Sequence, residues 1–166
     1  DSRAAAGTMV LLIRRAQALM EAAGDDGDFD ALCQQLHRYQ ATLRTCFTLE
    51  NFDNLIKNGR MRPIVGTLLR SLGIHIIADA TAEGTIHVAD KARGVGKTYR
   101  AITALMKASK DCTDAEVVIS HCENLEGAMA LKRQILAALP VKQVDLLSCR
   151  GLTSFYAMEK GLIVGY

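Results

Sequence analysis

Leu49-Glu50-Asn51-Phe52-Asp53-Asn54-Leu55-Ile56-Lys57-Asn58-Gly59-Arg60-Met61 is the stretch whose reading organises the rest of the chain. Phe52, Leu55 and Ile56 share one face of a short helix over residues 49–58, because positions three and four apart are neighbours on a helix surface. Thr48 stands where it can cap the start of that helix, and Gly59 is free to take the left-handed conformation that ends it. Arg60 then occupies a tight break between two apolar segments, where its always-charged fork can face a carboxylate or a phosphate. Spacing alone equally allows Gly59 to be a cap and nothing more, with Arg60 solvating a turn.

Working outward from this break, Pro63 suits the first turn of a second helix that carries Ile64, Val65, Leu68, Leu69 and Leu72 on one apolar side, and Gly73 stops it. Ile74-His75-Ile76-Ile77 and Thr85-Ile86-His87-Val88 read as two strands joined by Thr81-Ala82-Glu83-Gly84. Further on, the pattern predicts a helix over 97–110, a strand over 115–121, a helix over 125–139 closed by Pro140, and strands over 144–148 and 161–166. Upstream, residues 9–23 form a helix with Val10, Ile13, Leu19 and Met20 among its apolar positions, broken by Gly24-Asp25-Asp26-Gly27. Phe29, Leu32, Cys33, Leu36 and Tyr39 then trace an amphipathic helix, and residues 43–48 a strand with Leu43, Thr45 and Phe47 on one side. A hairpin in the middle and alternating strands and helices afterwards predict an α/β fold. Its sheet is mixed or largely antiparallel and packed with helices, not doubly wound.

The 166 residues are 49% hydrophobic and 23% charged, with a formal net charge of +2, which suffices for one ordinary domain with a substantial core. A balance so close to neutral gives no concentrated basic face for nucleic acid. With four Phe, four Tyr and no Trp, there is no base-stacking platform either. The five cysteines are odd in number and include no C-x-x-C pair, so neither a disulfide framework nor a zinc site is indicated. Free thiols in a reducing cytoplasm fit better. The apolar run from Met9 to Ile13 is too short for a membrane span and is followed by Arg14-Arg15.

Several groupings invite a chemical reading. Gly94-Val95-Gly96-Lys97-Thr98 ends like a phosphate-binding loop between a strand and a helix, but the position that should hold the first glycine is Lys91. The helix start near Gly96 can still receive an anion through its free N–H groups, and a nucleotide- or phosphate-binding enzyme built on Gly94–Thr98 is the alternative reading. His121 and Cys122 are adjacent in a strand, so they point to opposite faces and do not form a thiol–imidazole pair; Cys122 reads as a buried thiol at the strand end. His75 and His87 are expected to face each other across the hairpin, a weak metal case without a third ligand. Asp79 and Asp90 have no evident partner.

Taken in order, Asn58-Gly59-Arg60-Met61, Leu68-Leu69-Arg70-Ser71-Leu72-Gly73-Ile74 and Lys91-Ala92-Arg93-Gly94 make a composite pattern. Ile119-Ser120-His121-Cys122 and Gly151-Leu152-Thr153-Ser154-Phe155-Tyr156-Ala157 extend it. The pattern resembles the C-terminal part of the DegV family, bacterial fatty-acid-binding proteins that include the acyl-carrying subunits of fatty acid kinase. Asp1-Ser2 resembles the close of that family's N-terminal domain. The resemblance therefore implies that residues 1–23 are the end of that domain with a linker helix, and residues 24–166 a DegV-like α/β domain.

The resemblance further implies a long-chain fatty acid as ligand, with its chain in an apolar tunnel, no other cofactor, and no metal. The protein would be a cytoplasmic carrier for phospholipid metabolism and not an enzyme. It would present the carboxylate to the catalytic subunit of a fatty acid kinase, without binding nucleic acid or inserting stably into a membrane. Arg60 and Arg93 would serve the head group or the kinase contact, and Ile64, Leu68 and Leu69 the acyl chain. Counting back from Tyr166 places Tyr156 where many members carry a head-group histidine; a phenol there donates a hydrogen bond.

Overall fold

The computed structural model describes residues 2–61, 73–81 and 85–166, and Ile64, Leu68 and Leu69 lie outside these. Six strands, β1 (Thr45–Leu49), β2 (Ile74–Ala80), β3 (Ile86–Arg93), β4 (Glu116–His121), β5 (Gln143–Ser148) and β6 (Leu162–Gly165), form one sheet in the order β3-β2-β1-β6-β4-β5. Among the described strands, β4 and β5 alone run parallel and every other neighbouring pair is antiparallel. The sheet is thus mixed and mainly antiparallel, as the central hairpin and late alternation predict.

Alternation sorts the sheet's side chains onto two faces. On the first, Cys46, Ile77, Val117, Ile119, Val144, Leu162 and Val164 meet Ile102 and Met106 of α4 (Val95–Ser109) and Ala128, Leu131 and Ile135 of α5 (Leu125–Ala138). These two helices are amphipathic, and their buried residues recur at helical spacing. On the second face lie α1 (Gly7–Ala23), α2 (Phe29–Thr42), α3 (Asp53–Lys57) and α6 (Gly151–Ala157). Helix α1 rests directly on β4 and β6 because two glycines permit it. A Cβ at Gly7 would stand 2.5 Å from the Val118 carbonyl oxygen, and one at Gly165 would collide with the Thr8 backbone. The Thr8 and Thr45 hydroxyls hydrogen-bond at 2.6 Å across this contact.

Several expectations are corrected. Leu49 belongs to β1 and the helix after it begins at Asp53, so Thr48 lies inside a strand and caps nothing. Asn51 does that work, its side-chain oxygen accepting from the Asp53 N–H at 2.8 Å. Strands β2 and β3 run longer than their apolar cores suggest, because strand pairing carries through polar residues that face solvent. His75 is opposite Ala92, while His87 is opposite Asp79 and bonded to its carboxylate at 3.0 Å. A register shift between Ile77 and Ala78 sets this pairing, so the two histidines do not meet and Asp79 has a partner. The amphipathic stripe of α2 is only half-buried, with Phe29 74% exposed. At the end of β4 it is His121 that is buried, while Cys122 is half-buried. Helix α6 is absent from the expected elements: at seven residues it is too short for two turns of clear periodicity.

Candidate functional site

Phe47 and Leu49 from β1, Ile76 and Ala78 from β2, and Ile163 from β6 make an apolar floor on the second face of the sheet. Over it stand Phe52, Leu55 and Ile56 of the α3 segment and Tyr156 and Ala157 of α6, with Met61 against the same group. The Asn54 side-chain amide donates to the Phe155 carbonyl at 2.6 Å and fastens α3 to α6. Ile56, Met61, Ile86, Val88, Tyr156 and Ile163 remain only partly buried. An apolar layer with an unfinished edge results, in contrast to the more fully buried core across the sheet.

Local sequence explains how α3 ends. Asp53 in its first turn and Lys57 in its last complement the helix dipole. Gly59 then takes φ +68, a conformation that favours glycine, while the Gly59 and Arg60 N–H groups donate back to Ile56 and Leu55 at 3.0 and 2.7 Å. Arg60 is left exposed just beyond this turn, one residue before Met61 enters the layer. Tyr156 is half-buried in the same layer and meets Phe155 edge-on, ring centroids 5.1 Å apart. The turn carrying Arg60 and the helix carrying Tyr156 therefore border one layer. Arg93 stands elsewhere, exposed at the end of edge strand β3 opposite Ile74.

Two thiols border the layer under α6. The Cys149 thiol is pushed up to about 11, by burial first and by the neighbouring Cys122 second. It is protonated at neutral pH and a poor nucleophile. Among the described residues, no group of three or more His, Cys, Asp or Glu is placed to hold a metal. No described helix is long and apolar enough to cross a membrane.

The Gly94–Thr98 turn does begin a helix, with Gly94 at φ +83. Lys91, however, is inside β3, and the Thr98 hydroxyl is buried and donates to the Gly94 carbonyl at 3.1 Å. That hydroxyl is committed to the helix and not offered to a metal–phosphate complex.

Sequence reasoning missed the floor itself. The alternation of Phe47 with Thr48 and of Ile76 with Ile77 carried the signal, but which of two apolar faces stays incomplete depends on how far the covering helices reach.

The family model described as "Uncharacterised protein, DegV family" matches residues 1–162. A DegV domain-containing protein of Streptococcus gordonii is 31% identical over 167 aligned positions, covering 100% of this chain and 58% of the relative. The chain thus spans little more than half the length of the curated relatives it matches. Among solved structures, the Fatty Acid Kinase (Fak) B3 protein of Streptococcus pneumoniae, loaded with linoleic acid, superposes with TM-score 0.89 at 31% identity, over 100% of this chain and 58% of that one. A DegV family protein of Eubacterium eligens loaded with heptadecanoic acid superposes with TM-score 0.91 at 26% identity, over 99% and 58%.

Proposed function

Because the chain belongs to the DegV family, we propose that it binds a long-chain fatty acid and presents the carboxylate to the catalytic subunit of a fatty acid kinase. In this reading the acyl chain lies against the apolar layer between the sheet and helices α3 and α6. The observation that carries the proposal is the superposition, at 31% identity, on a fatty acid kinase B protein loaded with linoleic acid. The half-covered apolar residues of the layer support it independently. Each methylene removed from water contributes about 0.8 kcal/mol, so a tail of about 16 carbons offers roughly 12 kcal/mol before ordering costs.

Arg60 from its exposed turn and Arg93 from the end of β3 serve the head group or the kinase contact. Tyr156 donates to the carboxylate, and Ile64, Leu68 and Leu69 line the chain. The protein acts as a carrier in the cytoplasm; the partner subunit performs the phosphoryl transfer. Mass spectrometry of organic extracts tests the reading, using the purified protein as the cell makes it and a matched unrelated protein as blank. A stoichiometric fatty acid is expected. Folded protein without lipid overturns the assignment.

A further inference from the structure

The Thr48 hydroxyl is the polar group the carrier role leaves unexplained. Thr48 is 6% exposed, and its Oγ1 is buried without a hydrogen-bond partner among the described residues, an expensive arrangement for a fold to keep. It is two residues from Cys46 on β1 and shares its face, and so faces α4 and α5, away from the apolar layer. On that side it lines a cavity of about 310 Å³.

The first turns of both helices line the same cavity, α4 through Val95 and Thr98, α5 through Glu126 and Gly127. First-turn N–H groups have no intrahelical partner, and two helix N-termini add their partial positive charges at one place. Of these groups, the Gly127 N–H is satisfied, by the Asn124 side chain at 3.1 Å. Tyr99 and His75 also line the cavity, and burial together with Glu126 and Glu50 raises the Tyr99 phenol above its ordinary range, which keeps it a donor. Lys160 lines the cavity; of the exposed cations nearby in sequence, Lys97 and Arg100 belong to α4, whereas Lys91 and Arg93 pair in register with Ile76 and Ile74 and so lie on the other face of β3. Of the cavity's own carboxylates, Glu50 is 3.8 Å from the Lys160 ammonium, and Glu126 is exposed to solvent.

We infer that this cavity is a phosphoryl-oxyanion site, in which the Thr48 hydroxyl and the N-termini of α4 and α5 hold a small phosphate compound on the sheet face opposite the apolar layer. Its volume lies at the small end of ligand pockets, which run from about 300 to 1,000 Å³, and so favours phosphate or a small monoester over a nucleotide.

The test is calorimetric titration of the full protein with inorganic phosphate and, separately, glycerol phosphate. Saturable binding of either is expected, and the tighter of the two identifies the source of the oxyanion. Thr48→Val keeps the shape and removes the hydroxyl. It should weaken phosphate binding about ten-fold, as expected for a lost hydrogen bond to a charged group, while raising the melting temperature of the ligand-free protein. Glu126→Gln should tighten binding two- to three-fold, roughly the effect of one exposed charge near a helix start. Absence of binding by both ligands overturns the inference, as does equal binding by Thr48→Val. Fatty acid content of Thr48→Val protein, read in parallel, stays unchanged, so failure here is separable from failure of the carrier role.

Discussion

The two faces of the sheet are built from similar residues and finished differently. Against α4 and α5, Ile102, Met106, Val117, Ile119, Leu131 and Ile135 are all fully buried. Against α3 and α6, comparable residues such as Ile56, Ile86, Val88 and Ile163 stop at partial burial. Apolar content therefore does not by itself distinguish the two faces; the share of side chains left partly buried does. Helices of 15 and 14 residues roof the first face; on the second, α1 rests on β4 and β6, and over the apolar layer α3 and α6 supply five and seven residues among those described.

The sharpest way to break this comparison is truncation on each face. Leu131→Ala should cost about 2–5 kcal/mol in urea unfolding, because its surroundings cannot collapse onto the void. Ile163→Ala should cost about 1 kcal/mol, since that side chain is only partly removed from water, and should lower the fatty acid recovered with the protein. Equal stability costs at the two positions would erase the distinction between the faces. Arg60→Ala is expected to change folding by less than about 0.5 kcal/mol, as for other exposed side chains, yet to impair acyl-phosphate formation when assayed with the kinase. Unaltered acyl-phosphate yield would remove Arg60 from the presentation surface.

The smallest effect concerns the thiols under α6. With its folded value pushed up to about 11, Cys149 should be alkylated slowly at pH 8, and faster by about ten-fold for each pH unit until that value is reached. The linkage has a definite sign. A proton held more tightly when folded means that stability is intact below the ordinary thiol value near 9 and falls as pH rises from there to about 11. Burial likewise raises Cys46 and Tyr166, so alkaline unfolding should begin in the same window and report the closed face as well.

What was legible in the sequence was whatever depends on neighbours along the chain. Helices α1, α4 and α5, the break at Gly59 and the mixed character of the sheet follow from periodicity and turn chemistry. The opposition of His87 to Asp79 was not legible, because it hangs on a register shift at Ile77 that leaves no residue signature. Thr48 looked like a cap by its spacing, yet strand pairing through Leu49 overrides that local preference. The floor of the candidate site draws on Phe47, Ile76 and Ile163, three segments whose meeting is set by strand order. Arg60 was visible as an oddly placed charge, and Tyr156 through family resemblance.

Strand β6 joins β1 on one side and β4 on the other, so the three-stranded antiparallel block and the β4–β5 pair share no other seam. It is the last of the described strands, and the Tyr166 backbone exchanges two hydrogen bonds with Arg44, far upstream. Assembly therefore has a built-in keystone. Neither apolar face is continuous across the described strands until β6 lies between the two blocks. Such long-range closure slows folding towards the millisecond-to-second range. During that interval, half-sheets with open edges are the species a chaperone would meet.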